Sequence, residues 1–276
     1  MKILDANGAR IPALGLGTFQ LKGNQCAELV EHALRNGYDH IDTAAMYENE
    51  EAVGAGIRAS GRPRDELFVT TKVWPSEVHD GAFQRSAEAS LKRLGLDHVD
   101  LLLIHWPPKD NDIEGWAALL DEAVERGWTR HVGVSNFTTT LLRQIAAAVK
   151  HPLTVNQVEN HPYLDQSKLR DCCAELGMAL IAYCPLFKGR RLFEDPTIAA
   201  LAKAKNKTAV QIVLRWHLQH EGAGAIPKTA TPSRVLENID IFDFALSDQE
   251  MASLSALKSA NSRLCDYDIS PDWDRP

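Results

Sequence analysis

Eight short apolar runs, the helix-length segments that separate them, and polar residues gathered where the runs end predict an α/β chain folded as a closed (β/α)8 TIM barrel. In chain order, KILDANGARI comes first, an Asn-Gly turn between short apolar arms, which predicts an N-terminal β-hairpin capping the barrel floor. The strands follow as LGLGT (14–18), YDHID (38–42), LFVTTKV (67–73), VDLLLIHW (99–106), HVGVSN (131–136), TVNQVE (154–159), ALIAYC (179–184) and AGAIPK (223–228). Their Val, Ile and Leu content suits parallel strands covered on both faces. Segments between them, such as QCAELVEHALRNG, HDGAFQRSAEASLKRLG and LLRQIAAAVK, carry the apolar spacing of covering helices, and several end in Gly or Asn. SDQEMASLSALKSAN (247–261) reads as an extra, capped C-terminal helix before a polar tail. No Pro/Gly/Ser-rich linker interrupts residues 1–276, so one domain is expected.

With 276 residues, 45% hydrophobic and 24% charged, the chain can bury a large core. A net charge of -7 with scattered basic residues argues against nucleic acid as a partner. The start lacks an apolar signal-peptide core and no apolar run approaches the roughly 20 residues of a membrane helix, so a cytoplasmic protein without membrane contact is expected. Cys26, Cys172, Cys173, Cys184 and Cys265 are odd in number and form no C-x-x-C pairing, which speaks against a disulfide framework or a zinc site. His217 and His220 lie one helical turn apart with no third ligand nearby. The sequons at Asn136 and Asn206 carry no weight in a cytoplasmic chain.

In a parallel barrel the C-terminal strand ends open onto one face, so Asp42, Lys72, His105, Ser135, Asn136, Gln157, Tyr183 and Lys228 are expected to converge there. A lysine ending a strand is ordinarily an edge gatekeeper, but Lys72 closes a run with no solvent alongside. Asp42 ends the preceding strand and needs a partner, so the two are expected to form an ion pair. Tyr47, on the loop above Asp42, can reach the ammonium, which is expected to lower its pKa from about 10 and make it a general acid. A lone histidine after LLLI is more often a core residue; over the same mouth, a neutral His105 could instead donate to a substrate carbonyl. The four together suit proton delivery to a carbonyl oxygen.

GAGIRA (54–59) matches a dinucleotide fingerprint but follows the helical, acidic ENEEAV rather than a strand, so no Rossmann domain is expected. The segments GLGTF (15–19), HIDTAAMYENE (40–50), TKVW (71–74), LIHWP (103–107), GVSNF (133–137), VNQVENHPYL (155–164), YCPL (183–186) and IPKTATPSRVLEN (226–238) resemble the aldo-keto reductases over essentially the whole length. The ending and the length are similar to bacterial 2,5-diketo-D-gluconate and methylglyoxal reductases. The resemblance implies a catalytic quartet of Asp42, Tyr47, Lys72 and His105, with Tyr47 as proton donor, and NADP(H) across the barrel mouth.

Within it, Gly17, Thr18, Ser135, Asn136, Gln157, Tyr183, Cys184, Leu186, Lys228, Thr229, Arg234, Glu237 and Asn238 are the expected cofactor contacts. Ser135, Asn136 and Gln157 would meet the nicotinamide carboxamide and Tyr183 its ring, while Lys228 and Arg234 would meet the 2′-phosphate and favour NADPH. Away from IPKT, Arg234 and Glu237 would read as a helix-surface charge pair. Cys184 replaces a serine frequent in the family. Phe19, Trp74, His105 and Trp106 would wall a pocket for a small carbonyl substrate, and the short tail suggests an open rim. The expectation is a monomeric NADPH-dependent reductase of aldehydes and ketones, favouring small dicarbonyls, keto sugars and reactive aldehydes. Its rivals are a catalytically idle NADPH-binding regulatory subunit and a metal-dependent barrel hydrolase or isomerase, which would need more strand-end ligands than Asp42 and His105.

Overall fold

The Asn-Gly turn forms where expected. Asn7 and Gly8 take φ of 45° and 87°, the left-handed pair that a tight hairpin requires. The computed structural model describes residues 1–189, 191–260 and 262–274. In order, the elements are β1 (Ile3–Ala6), β2 (Ala9–Pro12), β3 (Leu16–Gly17), α1 (Gly23–Arg35), β4 (His40–Asp42), α2 (Glu50–Ser60), β5 (Phe68–Val73), α3 (Ala82–Leu94), β6 (Val99–Ile104) and α4 (Ile113–Glu125). There follow β7 (Thr129–Ser135), α5 (Thr139–Ala148), β8 (Leu153–Glu159), α6 (Ser167–Glu175), β9 (Ala179–Tyr183), α7 (Pro196–Lys205), α8 (Ala209–Gln219), β10 (Ala223–Ala225), α9 (Pro232–Ile239) and α10 (Asp248–Ser255).

Strands β3 to β10 pair in sequence order, all parallel. The seam closes where Leu14 bridges Ala225, with Gly15 N–H donating to Ala225 O at 2.9 Å and Ala225 N–H to Ala13 O at 2.8 Å. The two seam strands are shorter than their sequence runs. Pro227 has no N–H to extend β10 and can only accept, from Gly17 N–H at 3.2 Å. The hairpin seals the floor: Asn7 Nδ2 donates to Leu153 O and Leu176 O, and Lys2 Nζ to Leu218 O and His220 O.

The sequence assigns the strand interiors to the core, and β5, β6 and β8 are buried at every position. GAGIRA lies in α2, away from any phosphate turn. A Cβ on Gly54 would stand 2.1 Å from Leu94 O and one on Gly56 2.5 Å from Ala27 O, so these glycines serve close helix packing. The C-terminal helix begins on a Ser247/Glu250 capping box as expected, but ends as α10 at Ser255 and continues as a 3-10 turn to Ala260. Asn261, the last residue of the expected helix, lies outside the described residues. No helix among the described residues is long and apolar enough to cross a membrane.

Candidate active site

The strand order brings four sequence-distant side chains to one rim. Asp42 ends β4, Lys72 is next to last in β5, and His105 follows β6 directly, its N–H donating to Val73 O. Tyr47 closes a one-turn 3-10 helix, Ala45–Tyr47, above β4. Lys72 Nζ donates to Asp42 Oδ1 at 2.6 Å and to Thr43 O at 2.8 Å, with both charged side chains almost wholly buried. Gln157 Nε2 donates to Asp42 Oδ2 at 2.6 Å, so both carboxylate oxygens are held. The Tyr47 ring centroid lies 5.1 Å from Lys72 Nζ and 5.6 Å from the His105 ring. Trp74 stands edge-on to His105 at 5.2 Å and Phe19 lies 5.0 Å from Tyr47, placing three of the predicted pocket residues around the phenol.

Burial, aided by the Lys72 charge, pushes His105 well below the ordinary histidine range, so the imidazole is neutral as expected. Its Nδ1 is buried with no hydrogen-bond partner among the described residues. Tyr47 departs from the expectation. Burial first, then the charge of Asp42, raise its pKa well above 10 rather than lowering it. Lys72 is spent on Asp42 and Thr43, and no hydrogen bond joins it to the phenol oxygen among the described residues. The phenol therefore holds its proton firmly in the resting site.

The sequence profile of the Aldo/keto reductase family matches residues 13–259, spanning the barrel and all four rim residues. This chain belongs to the aldo/keto reductase family. It is 44% identical over 252 residues to glyoxal reductase of Bacillus subtilis (strain 168), covering 91% of this chain and 90% of that one. It is 42% identical over 265 residues to morphine 6-dehydrogenase of Pseudomonas putida, covering 91% and 89%. A crystal structure assigned as 2,5-diketo-D-gluconic acid reductase B superimposes with a TM-score of 0.97 at 42% identity, covering 100% of this chain and 98% of that one.

In this reductase the predicted cofactor residues fall into two groups. The first is knitted together at the ends of β7, β8 and β9. Ser135 Oγ donates to Gln157 O, Asn136 Nδ2 donates to His105 O and Ser135 Oγ, and Tyr183 OH donates to Asn136 Oδ1 at 2.6 Å. The Asn136 amide has thus used both N–H groups, and Gln157 one of its two; their carbonyl oxygens retain lone pairs for a ligand N–H. Asn136 and Cys184 both take left-handed φ, 65° and 48°, strained backbone held at the mouth. Leu186 is half-buried between the two apolar clusters.

The second group lies at β10 and α9. Lys228 and Arg234 are exposed and have no ion-pair partner among the described residues, and Arg234 makes no ion pair with Glu237. Thr229 is buried and accepts from Thr231 N–H, Asn238 is buried, and Glu237 is half-buried. Gly17 has a packing reason of its own, since a Cβ would stand 2.7 Å from Ile226 O at the barrel seam. Thr18 Oγ1 donates to Asp42 O, bracing the end of β4.

Several contributors escaped the sequence reading. Asn49 ties the rim loops by donating to Thr18 O and Leu21 O and accepting from Thr43 Oγ1. Glu50 accepts from Thr71 Oγ1 beneath Lys72 and pairs with Arg93. Both sit inside HIDTAAMYENE, where an acid and an amide just after Tyr47 were the available signal. The open rim expected from the short tail is also corrected. Tyr267 and Trp273 pack edge-on to Trp106 at 5.9 and 6.1 Å, Arg263 stacks 3.7 Å over Trp273, and Asp274 accepts from Thr139 N–H and Oγ1. The tail's aromatic residues, not its length, determine this cover.

Proposed function

We propose that this aldo/keto reductase reduces aldehydes and ketones to alcohols with NADPH, with Tyr47 donating the proton. The observation that carries the reading is a half-buried, protonated phenol set between a neutral imidazole and a lysine whose charge is already paired with Asp42. His105, neutral, orients the carbonyl oxygen by a hydrogen bond; Lys72 favours the phenolate left behind once the proton moves. Two exposed cations without an ion-pair partner among the described residues, Lys228 and Arg234, fit the 2′-phosphate of NADPH, and the free lone pairs of Gln157 and Asn136 fit a carboxamide N–H. Bound there, NADPH would supply hydride to the carbonyl carbon. The names of the relatives, a glyoxal reductase and a 2,5-diketo-D-gluconic acid reductase B, support small dicarbonyls and keto sugars as substrates.

The test is the consumption of NADPH by Tyr47→Phe with glyoxal-type dicarbonyls. Loss of the phenol should lower kcat by roughly 100- to 10,000-fold while NADPH binding, read by fluorescence, is kept. Undiminished turnover would refute the assignment.

A further inference from the structure

Asp42 has a second contact that the chemistry above leaves unused. Its Oδ1 is taken by Lys72 Nζ, and its Oδ2 accepts at 2.6 Å from Gln157 Nε2, on β8, the strand opposite β4 in the eight-stranded order. Both side chains are buried, Asp42 at 1% exposed and Gln157 at 2%. A carboxylate that holds an ammonium has only lone pairs to offer, so the half of the Gln157 amide facing it must be the NH2. Reversed, Oε1 would meet Oδ2 acceptor to acceptor and the hydrogen bond would be lost. Oε1 is therefore turned away from Asp42, and no donor among the described residues reaches it.

Asn136 is fixed differently. Its Nδ2 donates to His105 O and to Ser135 Oγ, whose own hydrogen goes to Gln157 O, while Oδ1 accepts from Tyr183 OH and keeps one lone pair. Backbone carbonyls set that amide, so its direction survives a change at Asp42. The direction of the Gln157 amide depends on Asp42. The oxygens of both amides are thereby left for a ligand's donors.

We propose that Asp42, besides pairing with Lys72, is a positioning residue for the cofactor: by fixing the Gln157 amide it makes the mouth select a ring bearing a primary carboxamide, with two N–H donors, over one bearing an acyl group with none. The proposal rests on the reading of this mouth as an NADPH site. One carboxylate then serves the proton donor's lysine through Oδ1 and the nicotinamide through Oδ2. In Asp42→Asn, with the oxygen kept toward the Lys72 ammonium, Nδ2 faces Gln157; the Gln157 amide turns over and presents NH2 to the ligand.

Two measurements test it. The first needs no cofactor. In protein labelled with nitrogen-15 at glutamine, the Gln157 side-chain amide is the signal lost in Gln157→Met, and one of its protons should lie downfield of the other glutamine side chains and exchange slowly, as a short bond to a carboxylate dictates. Two protons at ordinary positions would overturn the proposal. The second compares, by calorimetry, the Kd of NADP+ with that of its 3-acetylpyridine analogue, which carries methyl in place of NH2. Wild type should favour NADP+ roughly 10- to 100-fold, and Asp42→Asn and Gln157→Met should each shrink that ratio about 3- to 10-fold. With both substitutions the ratio should equal that of Gln157→Met alone, because Asp42 acts through that amide; contacts to the shared ribose cancel. A ratio unmoved in either single variant, or a further drop in the double, would overturn the proposal. Should Asp42→Asn not fold, the wild-type amide spectrum and the Gln157→Met ratio decide. Adenosine 2′,5′-bisphosphate, which lacks the nicotinamide, should bind all four proteins alike. If neither it nor NADP+ binds wild type, the cofactor reading fails and takes the proposal with it; binding with an unmoved ratio fails the positioning role alone.

Discussion

Replacing Lys72 with methionine should separate what the buried ion pair does for stability from what it does for the site. The substitution keeps the stem's volume and removes the ammonium that donates to Asp42 Oδ1 at 2.6 Å and Thr43 O at 2.8 Å. Asp42, 1% exposed, would then keep Gln157 Nε2 as its one side-chain donor. Breaking a buried pair from one side costs about 3–5 kcal/mol, because a charge is left uncompensated. The lost hydrogen bond between charged groups accounts for about 1.5–3 kcal/mol of that. In Asp42→Asn/Lys72→Met no charge remains, and stability should return to within about 1–2 kcal/mol of wild type. Urea unfolding of the four proteins forms a double-mutant cycle, with a coupling of at least about 4 kcal/mol expected if each single variant breaks the pair and the double removes both charges. Turnover should stay lost in all three variants. A Lys72→Met protein within about 1 kcal/mol of wild type, or a double variant as unstable as the two singles summed, would refute this account of the pair.

Three further outcomes follow from the geometry. His217 is buried with Nε2 bonded to Pro185 O, and burial lowers its pKa from 6.5 to about 3. Below pH 6.5 the unfolded chain takes a proton that the folded chain refuses, so this contribution is complete above pH 6.5 and is lost as pH falls towards 3. The decline is about 1.4 kcal/mol per unit, or about 2 kcal/mol between pH 6.5 and 5. Urea midpoints at pH 7.5 and 5 should show it, and an unchanged slope in His217→Gln would contradict it. Arg234→Ala, at an exposed site without an ion-pair partner, should leave unfolding within about 0.5 kcal/mol and weaken NADPH by about 10- to 100-fold, with NADH little affected. Equal losses for the two cofactors would exclude a 2′-phosphate contact. Gly17→Ala should destabilise by about 1–3 kcal/mol in thermal or urea unfolding, since its Cβ meets Ile226 O at the seam; an unaltered midpoint would show that the seam gives way.

The periodicity of the chain predicts every barrel strand because a parallel strand covered on both faces must be apolar throughout, and β5, β6 and β8 are. It overstates the seam strands, since closure depends on backbone geometry at Leu14, Gly15 and Pro227 that hydropathy does not encode. The rim residues are legible for a related reason: a charged side chain ending an apolar run must be paired, and Lys72 and Asp42 sit on adjacent strands. What could not be read is depth. The acidity expected for Tyr47 rested on a nearby cation, whereas desolvation and the charge of Asp42 outweigh that cation, which is occupied by Asp42. The tail's cover over Trp106 was equally hidden, because it is held by Glu159 accepting from Leu264 and Cys265 N–H and by Thr139 N–H donating to the tail's Asp274, contacts with no sequence signature.

The raised phenol pKa suits a reductase better than the lowered one expected from sequence. A tyrosine acidified in the resting site would lose part of its proton at neutral pH before a substrate arrived, and what remained would protonate whatever water entered. A phenol held well above 10 keeps its proton until a stronger base appears beside it. An alkoxide forming at the carbonyl oxygen as hydride reaches the carbon is such a base, stronger than phenolate, so transfer stays favourable even from this tyrosine. The paired Lys72 then matters more after the transfer than before it. In the resting site Asp42 offsets its charge; once a phenolate stands 5.1 Å away, measured from its ring centre, the same ammonium faces two anions in a water-poor cavity. On the proposed mechanism the proton would be released only to the substrate oxygen, and reduction should persist undiminished through neutral pH up to the alkaline range where NADPH binding or folding fails first. A pH profile of kcat for reduction that falls with an apparent pKa near 7 to 8, and loses that inflection in Tyr47→Phe, would show the phenol ionising early and would reverse this argument.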